Sequence, residues 1–315
     1  MNERELLEAA GRLPKSIEPP RDLWPGIEAR IGRRLRRLRP WRRWYWMPLA
    51  AAAALVAVLV ARPGAGWSLT WLAGSGPGTL RVGQWVETDD SSRAVIAVGH
   101  IGQVEVRPRT RIRLVTARAD DHRLALAHGA IEAKVDTVPR IFFVETPVGT
   151  AIDLGCAYTL EMDSLGNGQL HVTAGMVEFQ ARGQTDTDVR VPMGALVLTR
   201  AGVGPGIPYV EDAPEALKRA LGASDVRGIL AASRPDDAIS LWHLLQRVDS
   251  ARRAVVYDRL SALVPPPPRV TRAAALALDR AVLDGYWNHI HRILFRKVIL
   301  RGVRDIDPRT GTRVR

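Results

Sequence analysis

Residues 44–61 form a run of 18 amino acids without a charged side chain, rich in alanine, valine and leucine. As an α-helix rising about 1.5 Å per residue, the run is about 27 Å long, close to the roughly 30 Å hydrocarbon core of a bilayer. Trp41, Trp44, Tyr45 and Trp46 crowd its first end, where amphipathic rings favour the membrane–water interface. The run therefore predicts one transmembrane helix over residues 44–61.

Positive charge is concentrated on one side of this run. Eight arginines lie between Arg30 and Arg43, whereas only Arg62 follows closely and the next arginine is Arg81. Arginines that flank a membrane span remain on the cytoplasmic side. The asymmetry predicts a single-pass inner-membrane protein with a cytoplasmic N-terminus and the bulk of the chain extracytoplasmic.

Three alternatives compete with a membrane span. A cleaved signal peptide would need a shorter leader than 43 residues, and no clear Ala-x-Ala cleavage site follows the run. A buried helix of a soluble protein would present a polar face to water, which this run lacks. Arginines with interleaved tryptophans can bind nucleic acid, but beside an apolar run they fit a topology signal better. No nucleic-acid partner is predicted.

The charge of the 315-residue chain is unevenly distributed. The formal net charge of +12 comes from the ends, because residues 1–43 carry +6 and residues 269–315 carry +7, while residues 44–268 carry −1. The chain is thus a near-neutral body with two basic ends. Its single cysteine, Cys156, excludes an intrachain disulfide and any zinc site with two or more cysteines.

The cytoplasmic leader, residues 1–43, shows apolar residues at helical spacing. Asp22 can cap a helix that carries them on one side. A segment of this length cannot bury these side chains alone, so they bind a partner, lie in the membrane interface, or belong to a plain juxtamembrane stalk. No histidine or cysteine occurs before residue 100, which excludes a zinc-binding module of the His-x3-Cys-x2-Cys kind in the leader. The predicted partner-binding residues are Leu23, Trp24, Ile27 and Ile31.

Residues 79–210 change to a period of two. Short β-branched or aromatic segments alternate with glycine, proline, aspartate and asparagine at intervals of roughly 8–12 residues, without helical segments between them. Gly166-Asn167-Gly168 is typical of a hairpin turn. The pattern predicts an all-β extracytoplasmic domain, either a sandwich or a solenoid-like stack.

One pattern occurs twice in this region. Leu-x-Leu-x-x-Gly-x-Ile-x-Ala over residues 124–133 has the spacing of Leu-x-Val-x-x-Gly-x-Val-x-Phe over residues 170–179. Each copy predicts a strand, a turn at Gly129 or Gly175, and a second strand. The copies suggest stacked hairpin-like units, although chance similarity between hairpins is an alternative.

The same region resembles the FecR domain. Its segments occur in the order of that family's pattern: a strand with a Pro-x-Thr-Arg turn, a Leu-x-x-Gly strand pair, a Phe-x-Val-x-Thr-Pro strand, a Gly-Cys-x-Tyr turn and a closing Val-x-x-Gly-x-Val. In this chain the third segment reads Phe-Val-Glu-Thr-Pro. The resemblance covers about residues 80–180. Its motif positions are Pro108, Arg111, Gly129, Thr146, Pro147, Gly155, Cys156, Tyr158 and Gly175.

The resemblance implies a membrane-bound regulator of an extracytoplasmic-function sigma factor, acting by protein–protein contact. In such proteins the outer domain receives a signal from an outer-membrane protein, and the cytoplasmic segment contacts the sigma factor. This leader is about half the expected length, and helices replace the small signalling domain of the iron-uptake members, so iron sensing is not expected. The alternative is a cell-envelope scaffold or binding module without a regulatory role.

Residues 213–303 are predicted to be helical. Short helices over 214–221, 224–233, 236–248 and 250–264 precede four consecutive prolines, and Thr271 caps a long helix. Ser224 and Asp236 are further candidate caps. The basic tail, residues 304–315, faces anionic lipid or an acidic partner, or is simply solvated.

The sequence shows no apparatus for catalysis. Cys156 and His171 invite a nucleophile, but the cysteine lies in an apolar strand context where it is typically a small core residue. His289 and His291 point in nearly opposite directions on a helix and cannot share a metal. Neither a phosphate loop nor a hydrolase motif occurs. The chain is therefore predicted to be no enzyme and to hold neither cofactor nor metal.

Overall fold

The computed structural model describes residues 66–183 and 188–304, with side chains up to residue 294. Within them, mostly antiparallel β-strands are followed by a C-terminal helical region, as predicted. The strands form because apolar residues alternate with polar ones: in Arg93–Val98 every second side chain is buried. Strand structure begins at Gly66, earlier than the predicted start at Thr79.

Sixteen strands are found in the described residues. They are β1 (Gly66–Ala73), β2 (Thr79–Arg81), β3 (Trp85–Glu87), β4 (Arg93–Val98), β5 (Gly102–Val106), β6 (Arg111–Arg118), β7 (Asp121–Val135), β8 (Phe142–Thr146), β9 (Gly149–Asp153), β10 (Cys156–Met162), β11 (Gly168–Ala174), β12 (Met176–Ala181), β13 (Asp188–Pro192), β14 (Ala195–Arg200), β15 (Gly204–Pro205) and β16 (Tyr209–Val210).

The strands belong to two sheets that share one core. Sheet I has the order β1-β4-β5-β7-β10-β11-β14, with β2 on β1 and with β15 and β16 on β14. Sheet II has the order β3-β6-β7-β8-β9-β12-β13, and only its β7–β8 pair is parallel. Buried side chains from both sheets belong to one cluster, so the two sheets share a single core.

Strand β7 belongs to both sheets. Residues 121–128 pair with β6, and residues 122–125 also pair with β8. Residues 129–135 pair with β10, and residues 131–135 also pair with β5. The change of partners occurs at Gly129, whose φ is +100°. One continuous strand thus crosses from sheet II to sheet I.

The repeated pattern marks these crossings rather than hairpins. At Gly175 the chain leaves β11 in sheet I and enters β12 in sheet II, and these two strands do not pair with each other. The prediction of hairpin-like units was therefore wrong. The predicted hairpin at Gly166-Asn167-Gly168 is confirmed, because it joins the paired strands β10 and β11.

Six α-helices lie in the described residues of the C-terminal region. A 3-10 turn, Pro235–Asp237, precedes the third helix. The helices are α1 (Glu215–Ala223), α2 (Val226–Ala232), α3 (Ala238–Arg247), α4 (Ser250–Leu263), α5 (Arg272–Leu276) and α6 (Arg280–Arg304).

Four details of the helices differ from the prediction. Thr271 caps a helix, with its hydroxyl accepting from the Ala274 N–H at 3.4 Å, but that helix is the short α5. The predicted long helix breaks at Leu278, whose φ is +59°, and restarts as α6. Ser224 ends α1 in a left-handed conformation instead of starting α2. Asp236 lies in the 3-10 turn, and Asp237 accepts the Arg234 N–H at 2.9 Å.

The helices pack on the sheets through one shared core. Trp242 on α3 and Trp287 on α6 are buried, with ring centroids 4.8 Å apart. The Trp242 indole N–H donates to the Leu283 carbonyl at 3.0 Å, and the Tyr286 hydroxyl donates to the Val264 carbonyl at 2.5 Å. Buried aromatic rings whose polar atoms are hydrogen-bonded hold the helices in fixed positions relative to one another.

Across residues 66–183 and 188–304, no helix combines the length and hydrophobicity needed to cross a bilayer. The predicted leader (1–43), the predicted transmembrane helix (44–61) and the tail beyond Arg304 lie outside the described residues.

Candidate functional site

Three FecR-like motif positions meet where β7 crosses between the sheets. The Thr110 hydroxyl donates to the Ala130 carbonyl at 3.1 Å and accepts the Ala130 N–H at 2.9 Å. The Thr110 N–H donates to the Thr88 hydroxyl at 2.9 Å. A Cβ on Gly129 would lie 2.3 Å from the Thr110 Cα, so only glycine fits there. Pro108 precedes this corner, which fixes the path of the chain between the sheets.

A second corner is built from Gly155, Cys156 and Gly175. A Cβ on Gly175 would lie 2.1 Å from the Gly155 carbonyl oxygen. The Gly155 N–H donates to Asp153 Oδ1 at 2.6 Å, and the Cys156 thiol donates to Asp153 Oδ2 at 2.7 Å. The carboxylate of Asp153 thus holds the turn between β9 and β10.

Thr146 and Pro147 form the tight turn between β8 and β9. The Thr146 hydroxyl donates to the Gly149 carbonyl at 2.8 Å and accepts the Gly149 N–H at 3.1 Å. The backbone of the turn is therefore closed by a side chain. Like the two corners, this motif segment determines the course of the chain.

Cys156 is unsuited to nucleophilic chemistry. Burial, and next the negative charge of Asp153, raise the pKa of its thiol far above the usual range, which disfavours the reactive thiolate. His171 is not brought to it, because that residue pairs with Thr159 on β10 and lies 3.8 Å from Glu211. Tyr158, a further motif position, has a buried hydroxyl without a partner among the described residues.

Asp153 makes the stability of the domain depend on pH. Burial raises its pKa from 3.8 to about 6, against the opposing hydrogen bonds from Cys156 and Gly155. The folded chain therefore binds this proton more tightly than the unfolded chain, and the group reduces stability as pH rises from about 4 through 6.

We expect Asp153→Asn to remove this contribution, because asparagine keeps an acceptor for the Gly155 N–H without titrating. Between pH 5 and pH 8 the free energy of unfolding of the variant should fall by about 1 kcal/mol less than that of the parent. Urea titrations at both pH values measure the difference. Asp120→Asn, in an exposed loop, is the control; an equal change in both variants would contradict the assignment.

A polar and aromatic cluster joins sheet II to the helices. The guanidinium carbon of Arg190 on β13 lies 5.5 and 5.7 Å from the ring centroids of Trp242 and Trp287. Arg190 Nη2 lies 2.8 Å from Asp284 Oδ1, and the Arg190 backbone N–H donates to His243 Nε2 at 3.1 Å. These contacts stabilise the packing of the helices against sheet II.

The groove beside this cluster has a volume of about 250 Å³. Pockets for drug-sized ligands are usually larger, at about 300–1,000 Å³. Its arginine is already paired with Asp284, so the cluster serves contacts within the chain. Sequence reasoning missed Arg190 and His243, because they are 53 residues apart and neither belongs to a recognisable motif.

The predicted partner-binding residues Leu23, Trp24, Ile27 and Ile31 lie outside the described residues. Within the described part of the chain, no group of three or more histidine, cysteine, aspartate or glutamate side chains is placed to hold a metal ion. Most of the described motif positions form corners and turns, whereas Arg111 and Tyr158 lie within β6 and β10. Pro108 and Gly129 also line an open surface depression of about 520 Å³.

The sequence matches no protein-family profile. It also matches no curated protein. Two crystal structures, each of a "putative anti-sigma factor" from Parabacteroides distasonis ATCC 8503, are similar to part of the chain. One has a TM-score of 0.36 and 16% identity, covering 41% of this chain and 61% of that protein. The other has a TM-score of 0.36 and 15% identity, and the match covers 44% of this chain and 64% of that protein. The chain thus covers less than two thirds of each neighbour's length.

Proposed function

We propose that this protein is a single-pass inner-membrane regulator of an extracytoplasmic-function sigma factor, acting by protein–protein contact and without catalysis. Its extracytoplasmic part would be a FecR-like β domain, and its leader would contact the sigma factor. What supports the proposal is the FecR-like series of motifs, whose glycines at positions 129 and 175 occupy the two sheet crossings. A motif whose residues have a physical reason for their positions is less easily produced by chance.

The topology in the proposal comes from residues 44–61 and the arginines before them. In this topology the predicted contact residues of the leader are cytoplasmic, where a sigma factor is available. An envelope signal would reach them only through the membrane span.

An affinity pull-down of the detergent-solubilised full-length protein tests the proposal. We expect it to recover a sigma factor, and we expect Trp24→Ala with Ile27→Ala to reduce recovery about tenfold or more, since truncated interface anchors commonly cost 2 kcal/mol or more. Arg33→Gln is the matched control, because in the helix predicted for the leader the helical period would put Arg33 on the side opposite to Trp24 and Ile27.

Recovery of envelope proteins alone, unchanged when residues 1–39 are deleted, would overturn the regulatory proposal. That result would favour an envelope scaffold. A cytoplasmic location of residues 66–304 in protease-accessibility experiments would overturn the proposed topology.

A further inference from the structure

Strand β3 forms one edge of sheet II. Among the described residues it pairs with β6 on one side only. The Gly83 N–H donates to the Leu114 carbonyl at 2.7 Å, and the Leu114 N–H donates to the Gln84 carbonyl at 3.3 Å. The Thr88 N–H donates to the Thr110 carbonyl at 3.0 Å. Because strand hydrogen bonds alternate in direction, the backbone groups of Trp85 and Glu87 point away from β6.

An aromatic ring on β3 lies beside two arginines on β6, the strand next to this edge. The side chain of Trp85 is 39% exposed. The guanidinium carbons of Arg111 and Arg113 lie 4.7 and 5.0 Å from its ring centroid. A guanidinium stacked over an indole is held in position by the ring.

Arg113 has a positive charge without a carboxylate partner among the described residues, and its buried Nε has no acceptor. Arg111 is only loosely paired, with its Nε 3.8 Å from Glu87 Oε2. What an incoming chain can supply is a carboxylate for the unpaired positive charge of Arg113.

The other arginines stacked on aromatic rings in sheet II are neutralised. Arg123 lies 4.1 Å from the Phe143 ring centroid, but its Nε is 2.7 Å from Asp121 Oδ1. Arg190 is paired with Asp284 at 2.8 Å. The uncompensated positive charge of Arg113 therefore lies beside the open strand edge, where a second chain can also form backbone hydrogen bonds.

We propose that the β3 edge binds an extended acidic segment of another protein, which adds to sheet II as a further strand. Side chains on one face of a strand recur every two residues, at about 6.8 Å. Carboxylates at alternate positions of the added strand would therefore match Arg111 and Arg113. The aligned backbone groups favour a peptide over an anionic lipid, which would use the charges alone.

This surface does not depend on sigma-factor regulation, because it involves only β3 and β6. The peptide-binding proposal can therefore fail while the proposed function holds, and the reverse. Peptide binding tests the β3 edge, and recovery of a sigma factor tests the proposed function.

The probe is a fluorescein-labelled seven-residue peptide with glutamate at alternate positions and threonine or valine between them. Binding is measured by fluorescence anisotropy on the full-length protein in zwitterionic nanodiscs. We expect saturable binding that weakens about tenfold for Trp85→Ala and for Arg113→Gln. Arg219→Gln, which removes an exposed arginine from α1, should leave binding unchanged. A peptide with glutamine in place of glutamate should also bind about tenfold more weakly.

Two further measurements test the recognition itself. Arg113→Glu should lose the glutamate peptide and bind the corresponding lysine peptide, which a misfolded variant would not do. Hydrogen exchange should show the amides of Trp85 and Glu87 protected at least tenfold by the peptide, as strand addition requires.

The proposal is overturned if the glutamate peptide does not bind at 1 mM, or if Arg219→Gln weakens binding as much as Arg113→Gln. Binding without protection of the Trp85 and Glu87 amides would overturn strand addition. Equal competition by anionic lipid vesicles would identify a lipid surface instead. A concentration-dependent dimer that is lost in Trp85→Ala would identify a second copy of the chain as the occupant.

Discussion

Gly129→Ala is expected to destabilise the β domain by about 4 kcal/mol. The new Cβ would lie 2.3 Å from the Thr110 Cα and 2.6 Å from the Arg109 carbonyl oxygen, and backbone atoms cannot rotate away as a side chain can. Its φ of +100° adds about 1–2 kcal/mol of strain for any residue with a Cβ. Since domains are typically stable by 5–15 kcal/mol, the variant should be marginally folded. Urea unfolding of the full-length protein in mild detergent measures the loss.

Two other glycines separate the steric clash from the backbone strain. Gly202 has a φ of +69° but open space around its Cβ position, so Gly202→Ala should cost about 1 kcal/mol. Gly78 shows neither feature, and Gly78→Ala should change stability by less than about 0.5 kcal/mol. If Gly129→Ala does not fold, protease sensitivity and soluble yield rank the three variants. A Gly129→Ala protein as stable as Gly202→Ala would refute the crossing at this residue.

His243 is expected to make the protein sensitive to acid. Its Nδ1 lies 2.8 Å from the Ile239 carbonyl oxygen, and its Nε2 accepts the Arg190 N–H, so the neutral ring is satisfied. Burial, supported by the positive charges of Arg247 and Arg190, lowers its pKa from 6.5 to about 3. The unfolded chain therefore binds the proton first, and stability is lost as pH falls from 6.5 toward 3.

The expected loss from this group is about 3 kcal/mol on going from pH 7 to pH 4. His243→Gln should be less stable than the parent at pH 7, because packing against Trp242 is lost, but it should lose about 3 kcal/mol less on acidification. His100→Gln, at an exposed position, is the control for removal of a histidine. Asp153 acts in the opposite direction over part of this range, so differences between variants are the quantity to measure. Parallel pH profiles for His243→Gln and the parent would disprove the assignment.

The sequence predicted those features that depend on local patterns. Alternation of apolar residues predicted the β region, helical spacing predicted the C-terminal helices, and Thr271 was correctly identified as a cap. The split between α5 and α6 was missed because Leu278 breaks the helix without a glycine or proline to signal it.

Features that depend on pairing between distant residues could not be predicted. The sequence shows the repeated spacing around Gly129 and Gly175, but a hairpin turn and a crossing between sheets have the same local pattern of strand, glycine and strand. The contact of Arg190 with His243, and that of Trp85 with Arg113, follow from sheet register and helix docking, which no local motif encodes.

Because β7 is shared, neither sheet can open at its centre without disrupting the other. The region from β1 to β14 should therefore behave as one cooperative unit in native-state hydrogen exchange, with the amides of Leu124 and Ile131 exchanging only through global unfolding. A ligand that binds only the folded state stabilises such a unit as a whole. Capture of a peptide at β3 would thus slow exchange as far away as β14, which would spread a local binding event over the whole domain without a change of shape.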